Sequence, residues 1–233
     1  MKQKGRGAGP RLFMPPGPAS DDRSLFHRYM AEVLELTGGG LPVGLGQAGR
    51  DEPEWENAAR AAVAAGLPQA GPWPEAVFET LIRAAVHDPD PSFSHQLIEP
   101  ALAVAGRRQV QEALLSLLVS GTNAEKAGAA RAWYWAQAPL AYRGLENLKT
   151  GTPTEESKRE YDAVADLRAR WREAALREFA SNEDLDVRRC ILPGLTLKPA
   201  LYPDDLKDLV VTTVRIARAH PDEYIRHRVE HQV

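Results

Sequence analysis

The sequence has 233 residues and contains little cysteine, no long apolar run and no strong excess of charge of either sign. Cys190 is the only cysteine, which excludes a disulfide within this sequence and fits a reducing compartment. No apolar run approaches the roughly 20 residues that a membrane-spanning helix needs. The basic first segment, residues 1–20, also lacks the apolar core of a signal peptide. We therefore expect a cytoplasmic protein without a membrane partner.

The sequence also lacks the common catalytic signatures. It contains no GxGxxG, Walker loop, G-x-S-x-G or HExxH pattern. The net charge of −3 argues against a dedicated nucleic-acid binder, although it leaves room for a local basic groove. These absences favour a protein that is not an enzyme and that uses no cofactor. Arginine outnumbers lysine, and alanine, glycine and proline are abundant, which indicates a GC-rich genome and favours a bacterial source.

The N-terminal part of the chain changes character twice. Residues 1–20 combine proline, glycine and basic side chains with little to bury, so they predict a disordered tail. Residues 21–37 have apolar side chains at the spacing of one helical face, which predicts a helix. Residues 37–53 are rich in glycine and predict a long loop. The first 53 residues are therefore expected to carry a tail, one helix and a loop.

One pattern occurs twice farther along the chain, in residues 92–132 and 186–229. Each copy has a helix-compatible stretch with an internal proline, Pro100 or Pro193, followed by an amphipathic helix and the acidic start of another helix. Helix pairs joined by short turns cannot bury both apolar faces alone and must stack on their neighbours. Because no strand-like alternation persists, we predict an all-α protein built as an α-solenoid.

An insertion interrupts this pattern in residues 139–154, PLAYRGLENLKTGTPT. After it, Thr152 and Glu155 have the spacing of a helix cap, and they predict one long helix that continues to about Ala180. Before it, Thr122 and Glu125 form a capping-box pattern for another helix.

The two-copy pattern resembles HEAT and armadillo-type repeats over residues 54–233. The segment NEDLDVRRCILPGL, residues 182–195, carries the resemblance best: an acidic turn, then Val187 and Arg188, then small and apolar residues with a proline. The resemblance implies a right-handed α-solenoid of stacked antiparallel helix pairs. It also implies a binding scaffold for a protein partner, by analogy of fold. Irregular repeat lengths and the insertion depart from the family pattern.

An aromatic run, Trp133, Tyr134 and Trp135, is the most distinctive local feature. Consecutive helical residues point about 100° apart, so at least one ring must meet solvent, a partner or the insertion. Tryptophan, tyrosine and arginine are enriched where interfaces bind most strongly. The predicted partner-binding residues are Trp133, Trp135, Tyr142, Arg143 and Arg131. The alternative is that the insertion folds back and covers the rings.

Three further arginines have two interpretations. In HEAT-like repeats, an aspartate and an arginine commonly tie adjacent repeats together, and the resemblance implies this role for Arg188 and Arg189, with Asp184 nearby. The alternative is a ridge that faces a ligand, to which Arg228 would contribute from another repeat.

The sequence contains one weak metal-binding pattern and permits one alternative function. His227 and His231 share a helical face with Glu223, but no further ligand can be named, so no metal site is predicted. The alternative function is a nucleic-acid-associated HEAT-like protein, including a base-repair enzyme of the DNA glycosylase type. The resemblance to those glycosylases implies a tryptophan followed four positions later by aspartate, whereas Gln137 follows Trp133.

Overall fold

A computed structural model of the chain describes residues 20–40, 53–67, 72–144 and 149–233. Within these ranges every regular element is helical and no β-strand occurs, which confirms the predicted all-α class. The helices are α1 (Ser20–Leu36), α2 (Pro53–Gly66), α3 (Glu75–Val86), α4 (His95–Ser120), α5 (Asn123–Ala136), α6 (Glu155–Asp162), α7 (Ala165–Ser181), α8 (Leu185–Ile191), α9 (Asp204–Arg218) and α10 (Glu223–Val229). The predicted tail, apart from Ser20, and residues 41–52 of the predicted loop lie outside the described residues.

Helix α1 lies where the apolar spacing predicts it. Phe26, Met30, Val33 and Leu34 are almost fully buried and occupy one face of the helix, while its other face is exposed. Burial of such a face provides most of the stability of a helix in a folded protein.

The helices after α2 form two rows that pack against each other. In one row, α3 contacts α5, α5 contacts α8, and α8 contacts α10. In the other row, α4 contacts α7 and α7 contacts α9. Contacts between α3 and α4, α4 and α5, α7 and α8, and α9 and α10 join the rows, while α1 and α2 pack against α3 and α4. The apolar core is therefore continuous along the rows.

The two copies of the sequence pattern differ in structure at their first helices. In the first copy, α4 continues past Pro100 and is interrupted only at Gly106, whose φ of 79° and ψ of 160° are not helical. In the second copy, α8 ends at Ile191, and Pro193 lies in the short 3₁₀ turn that follows it. A second 3₁₀ turn, Pro199–Leu201, follows, and no α-helix forms again before α9. The first copy is therefore interrupted only at Gly106, whereas the second leaves the α-helical path over the whole stretch between α8 and α9.

The single long helix predicted from Thr152 to about Ala180 is wrong. Thr154, not Thr152, caps α6, and the chain leaves the helical path at Val164 before α7 begins. Two arginines donate to backbone carbonyls at this break, where the carbonyl of Tyr161 also accepts the N–H of Val164 at 3.4 Å. Arg168 donates to the carbonyl of Tyr161, and the Nη2 of Arg108 donates to the carbonyl of Ala163 at 2.6 Å. Such partners satisfy the carbonyls that a helix end leaves unpaired.

Several helix starts in the second half of the chain are fixed by side-chain caps, although those of α7 and α9 are not. The capping box predicted for Thr122 and Glu125 is confirmed, because each side chain accepts a hydrogen bond from the other's backbone N–H. Asp184 caps α8 by accepting from the N–H of Val187 at 2.9 Å. Asp222 caps α10 in the same way. These caps place the arginines of α8 close to acidic helix starts.

Candidate interaction surfaces

The three aromatic side chains of α5 have three different environments. Trp133 is only 5% exposed and stacks on Trp171 of α7, with ring centroids 3.9 Å apart and planes 6° from parallel. Tyr134 is 69% exposed. Trp135 is half-buried against the core. Trp133 therefore belongs to the packing of the two rows, and a partner cannot reach it in this structure.

Trp135 is fixed at the rim of the structure by neighbours on the α3–α4 connection. Its indole N–H donates to the carbonyl of Pro91 at 3.2 Å. Its ring lies 5.0 Å from the ring of His95 and 5.0 Å from that of Tyr134, which it meets edge-on. Tyr134, Trp135 and His95 thus form a small aromatic group, of which Tyr134 is the most accessible member.

The other predicted contact residues do not join this group. Tyr142 and Arg143 are exposed, but they lie on a segment held against the start of α6, where the N–H of Ala141 donates to Ser157 Oγ at 3.0 Å. Neither forms a hydrogen bond with Trp135 among the described residues.

Arg131 points into the protein, between helices of the same row. Its Nη1 lies 3.5 Å from the sulfur of Cys190, and its Nη2 donates to the carbonyl of Val86 at 3.4 Å. Burial raises the pKa of the Cys190 thiol, although the guanidinium of Arg131 opposes the shift. A thiol with a raised pKa is a poor nucleophile at neutral pH.

The arginines of α8 connect neighbouring helices. Arg189 forms an ion pair with Asp222, the cap of α10, and its Nε donates to Oδ1 at 3.3 Å. The hydrogen bond from Arg189 holds the pKa of the Asp222 carboxyl below its usual value. Arg188 donates to the carbonyl of Phe179 in α7 at 3.2 Å. Arg228 is half-buried on α10.

The structure reveals a buried ionic cluster near α1 and α2 that the sequence analysis did not identify. The Nε of Arg60 donates to Asp88 Oδ2 at 2.9 Å, and its Nη2 binds the other oxygen of the same carboxylate. Glu56 Oε1 lies 3.0 Å from the Nε of Arg23 and 3.6 Å from the Nε2 of His27. The cluster joins α1, α2 and the start of the α3–α4 connection.

Burial is the main influence on the carboxyl pKa values in this cluster. Arg60 is 2% exposed and Asp88 is 1% exposed. Desolvation raises the pKa of both Asp88 and Glu56, and the neighbouring arginines oppose this shift. Removing one partner from a buried ion pair leaves the other charge unpaired and strongly destabilises a protein, so we assign the cluster a structural role. Glu56 and Arg60 look like an exposed pair in the sequence, because their i, i+4 spacing is that of a solvated helix face.

The acidic and basic residues of α6 and α7 pair with one another and with α4. Arg177 binds Glu173 at 2.8 Å, as the i, i+4 spacing predicts. Asp166 pairs with a different helix: it binds Arg108 of α4 at 2.8 Å. The hydrogen bond from Arg108 lowers the pKa of Asp166 to about 2. The mixture of charges provides no continuous basic surface on these helices.

An open apolar groove lies along α9, at the end of its row. It has a volume of about 790 Å³ and is called the α9 groove. Helix α9 contributes Val211, Val214, Arg215 and Arg218 to one side. Residues 197–200 form much of the rest. The sequence analysis missed this groove, because the 3₁₀ turn and the path of residues 195–203 decide whether α9 is covered.

The α9 groove exposes apolar surface that a folded protein ordinarily buries. Val211 is 57% exposed although it lies in the middle of a helix, and nearby Leu201 is 58% exposed. Val211, Val214, Arg215 and Arg218 are spaced i, i+3, i+4 and i+7, so they share one face of α9. This exposed apolar face makes the α9 groove our candidate interaction surface.

The described residues form neither a metal-ligand cluster nor a membrane-spanning helix. Within the ranges that the structure describes, no group of three or more His, Cys, Asp or Glu side chains is placed to hold a metal ion. No described helix has both the length and the apolar composition needed to cross a membrane. Comparison of the chain with protein families, curated proteins and solved structures gives no match.

Proposed function

We propose that this chain is a binding protein without chemistry of its own, built as a right-handed α-solenoid of HEAT-like helix pairs, and that it presents its surface to a protein partner. The two rows of helices support this proposal, because each helix in them contacts a neighbouring helix of its own row and a helix of the other row. That is the contact pattern of a repeat stack, which offers extended binding surfaces.

The observation that carries the proposal is the α9 groove. Its apolar side chains occupy a helix face, and helices in such proteins recognise partners by receiving a second amphipathic segment against such a face. Val211 and Val214 are positioned to contact that segment. The exposed ring of Tyr134 and the adjacent Trp135 provide a second, smaller contact area on α5.

The proposal is tested by selecting binders from a displayed library of random peptides and measuring their affinity for two matched variants. Val211→Gln replaces an apolar contact in the groove, and Val119→Gln makes the same change on α4, at a valine that is 59% exposed. Loss of a buried valine contact costs about 1 kcal/mol or more, so Val211→Gln is expected to weaken binding about fivefold or more. Val119→Gln should leave the affinity unchanged.

The control for folding is the melting temperature of both variants by circular dichroism. Glutamine favours helices at least as well as valine, so neither variant should melt measurably earlier than the parent. Equal affinity of the selected peptides for Val211→Gln and the parent protein would refute a binding role for the groove. Binding abolished only by Tyr134→Ala would move the interaction site to α5.

A further inference from the structure

The charged side chains that line the α9 groove are all basic. Lys198, Arg215 and Arg218 are the charged residues that line it, and no acidic side chain does so. Lys198 belongs to residues 197–200, and Arg215 belongs to α9, so basic groups come from two different segments around the apolar floor. The groove therefore combines an apolar centre with a basic border.

Two of these three charges are available to a partner. Arg218 already binds Glu230, with its Nε 2.8 Å from Oε1 and its Nη2 3.0 Å from Oε2. Lys198 and Arg215, by contrast, have no ion-pair partner among the described residues. An occupant of the groove would therefore meet two uncompensated positive charges.

The positive charge of Lys198 and Arg215 disfavours two occupants of the groove: residues 1–19 of this chain and a second copy of the protein. Residues 1–19 contain lysines and arginines and no acidic residue, so they would be repelled by the border of the groove. A second copy that docked through the same surface would place the two basic borders opposite each other, because a two-fold interface pairs a patch with itself.

The position of the α9 groove and the spacing of its lining residues favour a helical occupant. One face of α9 packs against α7, and the groove lies on a face that receives no further helix of the row among the described residues. The i, i+3, i+4, i+7 spacing of its lining residues is the spacing by which one helix receives another.

We propose that the α9 groove binds an amphipathic helix of a partner protein whose apolar stripe is flanked by aspartate or glutamate. This inference rests on the proposed binding function and specifies its partner. The apolar stripe packs on Val211 and Val214, and the flanking carboxylates pair with Lys198 and Arg215. The bound helix extends the row that α4, α7 and α9 form.

The test is a displayed library of helical peptides 15 residues long, the length of α9. Each peptide has a randomised apolar stripe, and its flanking positions are randomised among Glu, Gln and Lys. Selection on the full chain should enrich Glu at the flanking positions. The double variant Lys198→Glu/Arg215→Glu should bind the selected peptides at least about tenfold more weakly, and peptides with Lys at the flanks should bind it better than they bind the parent.

The outcomes separate this inference from the proposed function. If selected peptides lose affinity for Val211→Gln but show no enrichment of Glu, or bind the double variant as well as the parent, the groove is a binding site without acidic preference and the inference is wrong. If no selected peptide loses affinity for Val211→Gln, both the inference and the role of the groove fail.

Discussion

At the scale of single residues, the buried pair of Arg60 and Asp88 is the most consequential interaction. The guanidinium binds both oxygens of the carboxylate, and water reaches neither side chain to a significant extent. Removing one partner of a buried ion pair leaves the other charge desolvated and uncompensated, which is far worse than removing both.

Replacing Asp88 by asparagine should therefore destabilise the protein severely. We expect Asp88→Asn to lower the free energy of unfolding by about 3–5 kcal/mol, measured by urea denaturation. The matched control is Asp166→Asn, which breaks the exposed pair with Arg108, in which both side chains are about half exposed. That control should cause a much smaller loss, since exposed pairs contribute little. Equal losses in the two variants would contradict a special role of the buried pair.

The ion pair between Arg189 and Asp222 predicts a pH dependence. Since the pKa of Asp222 is lowered in the folded state, the pair stabilises the fold above the unfolded-state value, about 3.9 for aspartate. This contribution is lost as the pH falls through the lowered folded-state pKa. Asp222→Asn retains a capping side chain for α10 and removes the charge.

The measurement compares the unfolding free energies of Asp222→Asn and the parent at neutral pH and below pH 4. At neutral pH the parent should be more stable by about 1.5–3 kcal/mol, the range for hydrogen bonds to charged groups. The difference should shrink as the pH falls below about 4, where the unfolded carboxylate takes up a proton. A difference that is constant with pH would mean that the cap, and not the charge, stabilises this end.

The sequence predicted that one aromatic ring of α5 is exposed, but it did not predict which residues cover the buried side chains. The fan of three rings on α5 required one exposed ring, and Tyr134 is that ring, but nothing in the sequence identified Trp171 as the partner that covers Trp133. Similarly, the burial of Arg60 depends on how α2 meets the α3–α4 connection, and this contact lies far from Arg60 in sequence.

At the scale of helices, the close approach of α5 to the end of α3 depends on Gly128. A Cβ atom at this position would lie 2.0 Å from the carbonyl oxygen of Val86. Backbone cannot retreat as a flexible side chain can, so the two helices would have to separate.

Gly128→Ala should consequently destabilise the protein although alanine favours helix formation. Overpacking costs about 1–3 kcal/mol, whereas the gain in helix propensity is about 1 kcal/mol. With a backbone clash this close, we expect a net loss of about 1 kcal/mol or more in thermal or urea unfolding. Gly194→Ala is the control, because a Cβ there meets nothing within 4 Å. A stabilised Gly128→Ala variant would show that α3 and α5 separate at little cost.

Helices with local sequence signals were predicted correctly, whereas a helix break that depends on distant residues was not. The apolar spacing of residues 21–37 and the capping box at Thr122 are local signals, and the structure contains both features. The break at Val164 is not a local feature, since Arg108, from a distant part of the chain, satisfies a carbonyl freed there. A long helical pattern therefore predicted one helix where tertiary contacts produce two.

At the scale of the whole molecule, the two rows of helices explain why interaction surface is available. Each inner helix is covered on both sides by its row, and the rows cover each other. The face of α9 at the α9 groove has no such cover among the described residues and retains an exposed valine, Val211. The repeated sequence pattern predicted stacked helices, but it could not predict this groove, because the groove depends on the path of residues 195–203 between α8 and α9.

The central claim is that the protein acts by binding a partner segment in the α9 groove. The most direct test is a heteronuclear NMR titration of the isotope-labelled full chain with a peptide selected on it. If the groove is the binding site, the amide shifts change in residues 197–200 and 211–219, and those of Tyr134 and Trp135 remain unperturbed. Shift changes centred on α5, or no specific changes at saturating peptide, would contradict it.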